Sequence, residues 1–258
     1  MSENTWNTAI TDVRPNEIRL RGYRIDDLMG RVDFGRALHL LLRGELPDEK
    51  VGRLMTAILV SSMDHGPEAP SAHAARSAAS TGAPLSACVA SGVLSINRYH
   101  GGAVEDCARA LAEVVDRADE KACSLDEAAD QVLADYESRE VRVAGFGHLV
   151  HTADPRTVRL FDLAAETGVS GRYVEACKAI EAAMERRLGK RLPININGAV
   201  GAVLLELGFE FEVMNGLFIL ARVAGLIAQA REEVSRERKM RTIVPGAHRY
   251  DGPGPRSL

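Results

Sequence analysis

The chain has 258 residues, 46% hydrophobic and 26% charged, enough to bury one large core or two modest ones without help. Its formal net charge of -4 gives no electrostatic reason to expect nucleic acid or an anionic membrane as a partner. Aromatic residues are only 5% of the chain while alanine, leucine and glutamate abound, a composition that favours helices.

In chain order, the first 25 or so residues read as extended or irregular, with Val, Ile and Thr around Pro15 and a polar turn at Asn16. Asp33 then caps a helix whose inward face is Phe34, Leu38, Leu41 and Leu42, stopped by Gly44 and Pro47. A second helix from Glu49 to about Met63 repeats the pattern with Leu54, Ile58 and Leu59. A loop over 64–70 holds His65, and a helix of small residues follows over 71–80. Residues 82–95 are nearly all small or apolar, which predicts a buried, closely packed helix; 97–102 (NRYHGG) break it.

Residues 104–140 read as charged amphipathic helices, with Ser124 and Glu127 as a capping box. GFGH at 145–148 and a polar loop through Pro155 interrupt them. A long helix over 170–188 ends at Gly189, a break spans 193–198, a short apolar helix 199–207, and a long helix 213–238. The C-terminal segment from Pro245 reads as loose in the monomer. Few strand signals remain, so the expected class is all-α.

The four cysteines, Cys88, Cys107, Cys123 and Cys177, form no C-x-x-C pair, which predicts neither a thiolate metal site nor a disulfide framework and fits a reducing cytosol. No His or acidic cluster has ligand spacing, so no metal is expected. The N-terminus lacks an apolar core of the secretory kind, and no run of about 18 uninterrupted apolar residues suggests a membrane span. The expected location is cytoplasmic.

Three histidines sit at helix breaks beside glycine: His65 in DHG, His100 in RYHGGA and His148 in GFGHLVH. Glycine lets the backbone approach a ligand closely, and imidazole can donate a hydrogen bond to a carbonyl and stabilise the oxyanion or enolate formed from it. Two such groups aimed at two carbonyls are what carbon–carbon condensation or cleavage beside a thioester requires. Arg156 reads alone as a solvated loop arginine. Arg222 lies in the apolar run FILARVAGLIA, where burial demands an acidic side chain or a substrate carboxylate.

Four ordered segments carry a family resemblance: LRGYRIDDLMGRVDFGRALHLLLRGELP (20–47), RYHGGAVED (98–106), GFGHLVHTADPR (145–156) and FILARVAGLIAQAREE (218–233). Together they resemble the citrate synthase superfamily. The short chain, with DHG followed by SAHAAR and with PININGAVGAVLLELG, resembles its citryl-CoA lyase branch, including the module fused at the end of ATP-citrate lyase. The resemblance implies a large helical domain of 1–103 plus 214–258 and an inserted small helical domain of 104–213. His100 and Arg222 would lie on the large side of a closing cleft, His148 and Asn197 on the small.

It further implies a coenzyme A thioester as substrate with no permanently bound cofactor, a di- or tricarboxylate as the other ligand, and a homodimer. His100 would hold the thioester carbonyl and its enolate, and His148 the keto or hydroxyl oxygen of the other substrate. His65, Arg156, Arg222 and Arg241 would bind carboxylates, arginine being suited to bidentate pairing, and Gly145, Phe146 and Gly147 would contact coenzyme A. The chain departs from the pattern at Asn197, where these families carry the aspartate that moves the acetyl-CoA methyl proton. It also has Leu149 where an arginine often follows the histidine, and a GFGH-to-DPR loop one residue shorter than in typical synthases. Three readings follow: a lyase giving acetyl-CoA and a 2-oxo acid such as oxaloacetate, a related acyl-CoA hydrolase or condensing enzyme, or a non-catalytic protein that binds CoA esters.

Overall fold

A computed structural model describes residues 6–148, 151–240 and 246–257. The extended N-terminal stretch is a three-stranded antiparallel meander of β1 (Thr11–Arg14), β2 (Glu17–Leu20) and β3 (Tyr23–Arg24). Its register pairs Val13 with Ile18 and Leu20 with Tyr23 on one face, and Asp12 with Arg19 and Arg14 with Glu17 on the other. Eleven helices follow among the described residues: α1 (Ile25–Leu28), α2 (Phe34–Arg43), α3 (Glu49–Ser62), α4 (Pro70–Ser80), α5 (Leu85–Leu94), α6 (Ala103–Lys121), α7 (Leu125–Ser138), α8 (Pro155–Thr167), α9 (Arg172–Leu188), α10 (Ile196–Glu206) and α11 (Phe211–Arg236). The fold is mostly helical, as expected.

Capping chemistry fixes several of these ends. The Asp33 carboxylate accepts the Arg36 amide at 2.9 Å, Gly44 takes the left-handed conformation that closes α2, and Ser124 and Glu127 form the capping box of α7. Two helix starts differ from expectation. Asp154 caps α8, a helix not expected over 155–167, with Pro155 in its first turn. Asn195 caps α10, so the expected break at 193–198 becomes helix from Ile196, and Asn197 lies in a helical first turn.

Two packing expectations are corrected. Phe34 and Leu42 are exposed; α2 buries the expected Leu38 together with Gly35 and Leu40, because Gly35 lies directly against Gly52 and Thr56 of α3 and sets the contact face. Helix α5 is not buried within the chain. Among the described residues of α5 only Cys88 and Gly92 are fully buried, because α5 packs mainly on α4 and meets α11 at these two positions while Leu85 and Leu94 face outward.

The described residues group into two compact units. The first comprises 1–64 and 96–222, with a core drawn from α3, α6, α7, α9 and α10. Helix α10 is apolar on every side and its residues from Gly198 to Leu204 are all buried, which makes it a central helix packed against α6, α8 and α9. The second unit comprises 65–95 and 223–258, with a small core of Ala79, Cys88 and Ala230 and a buried Arg76–Glu233 ion pair at 2.8 Å. These boundaries do not follow those at 103/104 and 213/214, because Leu38, Leu54 and Ile58 share one core with the helices of 104–213. Helix α11 has an 18-residue window of mean hydropathy 1.6, long and apolar enough by composition to span a bilayer. It buries Met214, Leu217, Ala221, Arg222, Leu226 and Glu233 instead, the pattern of a core helix with two charged positions enclosed by protein.

Candidate active site

The GFGH loop and the start of α10 are stitched together by backbone. Phe146 forms an antiparallel bridge with Ile194, the Gly147 amide donates to the Pro193 carbonyl at 2.7 Å, and the Asn195 amide donates to the Gly145 carbonyl at 3.0 Å. This approach needs glycine twice. Gly145 has φ +90 and a Cβ there would meet the Cys107 sulfur at 2.4 Å, while a Cβ on Gly198 would stand 2.5 Å from the Gly145 carbonyl oxygen. Beneath them Cys177 is fully buried, and its hydrogen bond with Cys107 together with burial pushes its thiol up, so it stays neutral packing.

His148 follows directly. Its Nδ1 accepts the His151 amide at 3.1 Å and the two imidazole rings lie 4.4 Å apart. With Nδ1 accepting, a neutral His148 carries its proton on Nε2, where it can donate to a ligand oxygen. Asn197 is partly buried in the first turn of α10, and its carboxamide makes no hydrogen bond to any described residue.

A second group forms around His100. Asn97 and His100 exchange both backbone hydrogen bonds at 2.9 Å, a tight loop that hands directly into α6. Gly101 has φ +88 and lies so close to Ile96 and Phe218 that a Cβ would come within 2.7 Å of the Phe218 ring. The His100 ring meets Phe218 edge-on at 6.1 Å, and the Arg222 guanidinium sits 4.9 Å above the same phenyl ring. Phe218 thus spaces the imidazole from the guanidinium.

Arg222 is 3% exposed. Its Nε donates to the Ser62 carbonyl at 3.0 Å, and Arg156 Nη1 donates to the neighbouring Ser61 carbonyl at 3.3 Å. Both arginines therefore converge on the C-terminal end of α3, where unsatisfied carbonyls and the helix dipole favour cations. Burial pushes Arg222 below the ordinary guanidinium range; Asp64 opposes this and the Arg156 charge adds to it. Arg156 is also gripped by Asp154, whose carboxylate is fully buried and accepts from Arg156 Nε at 3.0 Å, Nη2 at 2.8 Å and the amide at 3.0 Å. Burial alone would raise the Asp154 carboxyl, yet the hydrogen bonds and charge of Arg156 bring it below the usual carboxylate range. Three of Arg156's five N–H groups are thereby engaged, leaving two for a ligand.

A cleft of about 500 Å3 opens beside the GFGH loop, lined by Leu133, Tyr136, Arg142, Phe146, Lys190 and Leu192 among others. Its floor is apolar and its rim cationic. Arg142 and Lys190 make no ion pair or hydrogen bond with any described residue, whereas Arg187 is held by Glu137 at 2.5 Å. Tyr136 donates to Glu113, and burial with that carboxylate pushes its phenol up to about 12, so it remains a neutral donor.

The structure thus brings His100, Arg156 and Arg222 into one neighbourhood, and Gly145, Phe146, Gly147, His148 and Asn197 into another, within the same compact unit. His65 is exposed and belongs to the other unit. Arg241 and Leu149 lie outside the described residues. Among the described residues no cluster of three or more His, Cys, Asp or Glu could hold a metal ion. Sequence reasoning missed Phe218, Asp154 and Asn195. The last two carried a readable signal, an Asp or Asn immediately ahead of a helix start.

The citrate synthase C-terminal domain family profile matches residues 47–243. Among solved structures, the chain is similar to the citryl-CoA lyase of Hydrogenobacter thermophilus, with 38% identity and a TM-score of 0.88 over 98% of this chain and 97% of that one. It also shares the fold of a mutant ATP citrate lyase of Methanosaeta concilii in complex with (3S)-citryl-CoA, at 23% identity and a TM-score of 0.85, covering 98% of this chain and 43% of that one. A probable ATP-citrate synthase of Dictyostelium discoideum is 28% identical over 245 residues, 88% of this chain. The chain spans only 38% of that protein's length.

Proposed function

Since the chain belongs to the citrate synthase family, we propose that it handles a citryl-CoA-type thioester as a carbon–carbon lyase, yielding acetyl-CoA and a 2-oxo acid, oxaloacetate for citryl-CoA itself. The observation that carries this reading is the neighbourhood of His100, Phe218, Arg222 and Arg156: a carbonyl-polarising imidazole beside two guanidiniums that favour a carboxylate. In cleavage, the substrate hydroxyl gives its proton to water as that oxygen becomes a carbonyl, which then accepts a hydrogen bond from His148 Nε2–H. The electrons of the broken bond pass into the thioester, whose oxygen His100 stabilises as an enolate. The enolate carbon then takes up a proton, the step for which Asn197 is ill suited because a carboxamide neither gives nor takes one. Asn197 therefore supports a second reading, a protein that binds CoA esters without turning them over.

The cleft beside the GFGH loop suits the nucleotide end of coenzyme A, with its apolar floor under the adenine and Arg142 and Lys190 facing phosphate. Calorimetry with acetyl-CoA is expected to give micromolar affinity or better. The double variant Arg142→Ala, Lys190→Ala is expected to weaken it about tenfold or more, with the melting temperature unchanged, because one charge-assisted phosphate contact is worth about 1.5–3 kcal/mol. Absence of heat and of any thermal shift at millimolar acetyl-CoA would remove the CoA reading.

We also propose a homodimer. In the second compact unit a small cluster of Ala79, Cys88 and Ala230 coexists, among the described residues, with outward-facing Leu85 and Leu94 on α5 and Ile227 and Val234 on α11. Such exposed apolar helix surface calls for a covering partner. Light scattering is expected to report twice the 27.9 kDa chain mass at micromolar concentration. A mass equal to the single chain would overturn it.

A further inference from the structure

We infer that Asn195 is a positioning residue that locks the His148 loop to the helix bearing Asn197, an inference that rests on the proposed active site. Its carboxamide is used from both ends. The oxygen accepts the amides of Asn197 at 3.0 Å and Gly198 at 3.4 Å, capping α10, while Nδ2 donates to the Gly147 carbonyl at 2.9 Å. Those partners fix the orientation of the amide, since N–H groups can only donate and a carbonyl can only accept. Its own amide adds a fourth bond, to the Gly145 carbonyl, and the Glu181 carboxylate accepts the neighbouring Ile194 amide at 2.8 Å, holding the segment that carries Asn195.

The consequence is geometric. Gly147 immediately precedes His148, and Asn197 is the second residue of α10, so one side chain sets the spacing of both candidate catalytic positions. Only a group with an acceptor and a donor in one plane does both tasks. Aspartate would keep the cap, and is as good an N-cap as asparagine, but would set a carboxylate oxygen against the Gly147 carbonyl. Alanine would lose both. A purely structural cap and a positioning link are therefore separable: the first predicts that Asn195→Asp is harmless, the second that it is not.

The test compares Asn195→Asp and Asn195→Ala with the parent by thermal melting, amide hydrogen exchange and citryl-CoA kinetics. The Asp variant is expected to melt at the parent temperature while the Gly147 and Asn195 amides exchange about tenfold faster or more. Its kcat is expected to fall about tenfold to a hundredfold with KM little changed, the penalty for misplacing reacting groups by about 1 Å. An Asp variant with the parent's exchange and kcat, or losses in both variants that simply track the drop in melting temperature, would overturn the inference. If the parent does not turn over citryl-CoA, the proposed reaction fails, and the exchange rates alone decide whether Asn195 locks the loop.

Discussion

Asn197→Asp is expected to raise the rate of citryl-CoA cleavage by about 10²-fold or more, a transition-state gain of about 3 kcal/mol. By the family resemblance an aspartate is expected at this position, and Asn197 lies in the first turn of α10, beside the loop that carries His148. Its carboxamide bonds to no described residue, so a nearly isosteric carboxylate would break no internal contact. A negative side chain in a helix's first turn is also favoured by the dipole, and stability should hold or rise slightly. The chemistry should change far more than the fold, because the carboxyl group can exchange a proton with the enolate carbon and the amide cannot. Single-turnover kinetics with citryl-CoA, alongside thermal melting, would measure both. An aspartate variant that binds CoA as the parent does yet gains no rate would mean that the site serves another reaction.

In that aspartate background, His100→Ala is expected to lower kcat by about 10²- to 10³-fold, the usual cost of removing one donor from a developing oxyanion. The fold should tolerate it. The loop's backbone pairing with Asn97 does not involve the imidazole, and the ring's aromatic contact with Phe218 is worth only about 0.5–1.5 kcal/mol. KM should move little if His100 acts mainly on the enolate. A KM effect with kcat preserved would assign His100 to binding the ground-state ester instead.

Helix ends were legible wherever an apolar period met a cap. Asp33, Gly44 and the Ser124–Glu127 pair mark boundaries that the structure repeats. Legibility failed where one residue type has two uses. Asp154 reads as loop polarity, yet it caps α8 and grips Arg156 through three hydrogen bonds. Asn195 reads as part of a break, yet its cap draws the helix start forward to Ile196. Phe218 could not be told from ordinary core, because its contact with His100 depends on the meeting of segments more than 100 residues apart in sequence. The reverse error arose at α5, whose uniformly apolar sequence reads as buried while the single chain leaves most of it uncovered. Periodicity says which surface seeks cover, not whether the same chain supplies it.

The central claim is that the two groups of residues cleave a carbon–carbon bond in a citryl-CoA-type thioester. Its most direct test is mass-spectrometric product analysis after incubating the parent and the Asn197→Asp variant with (3S)-citryl-CoA. The account predicts acetyl-CoA and oxaloacetate in equal amounts, slowly from the parent and about 10²-fold faster from the variant. Free coenzyme A with citrate would identify a hydrolase instead, and bound but unconverted citryl-CoA with both proteins would contradict a lyase altogether.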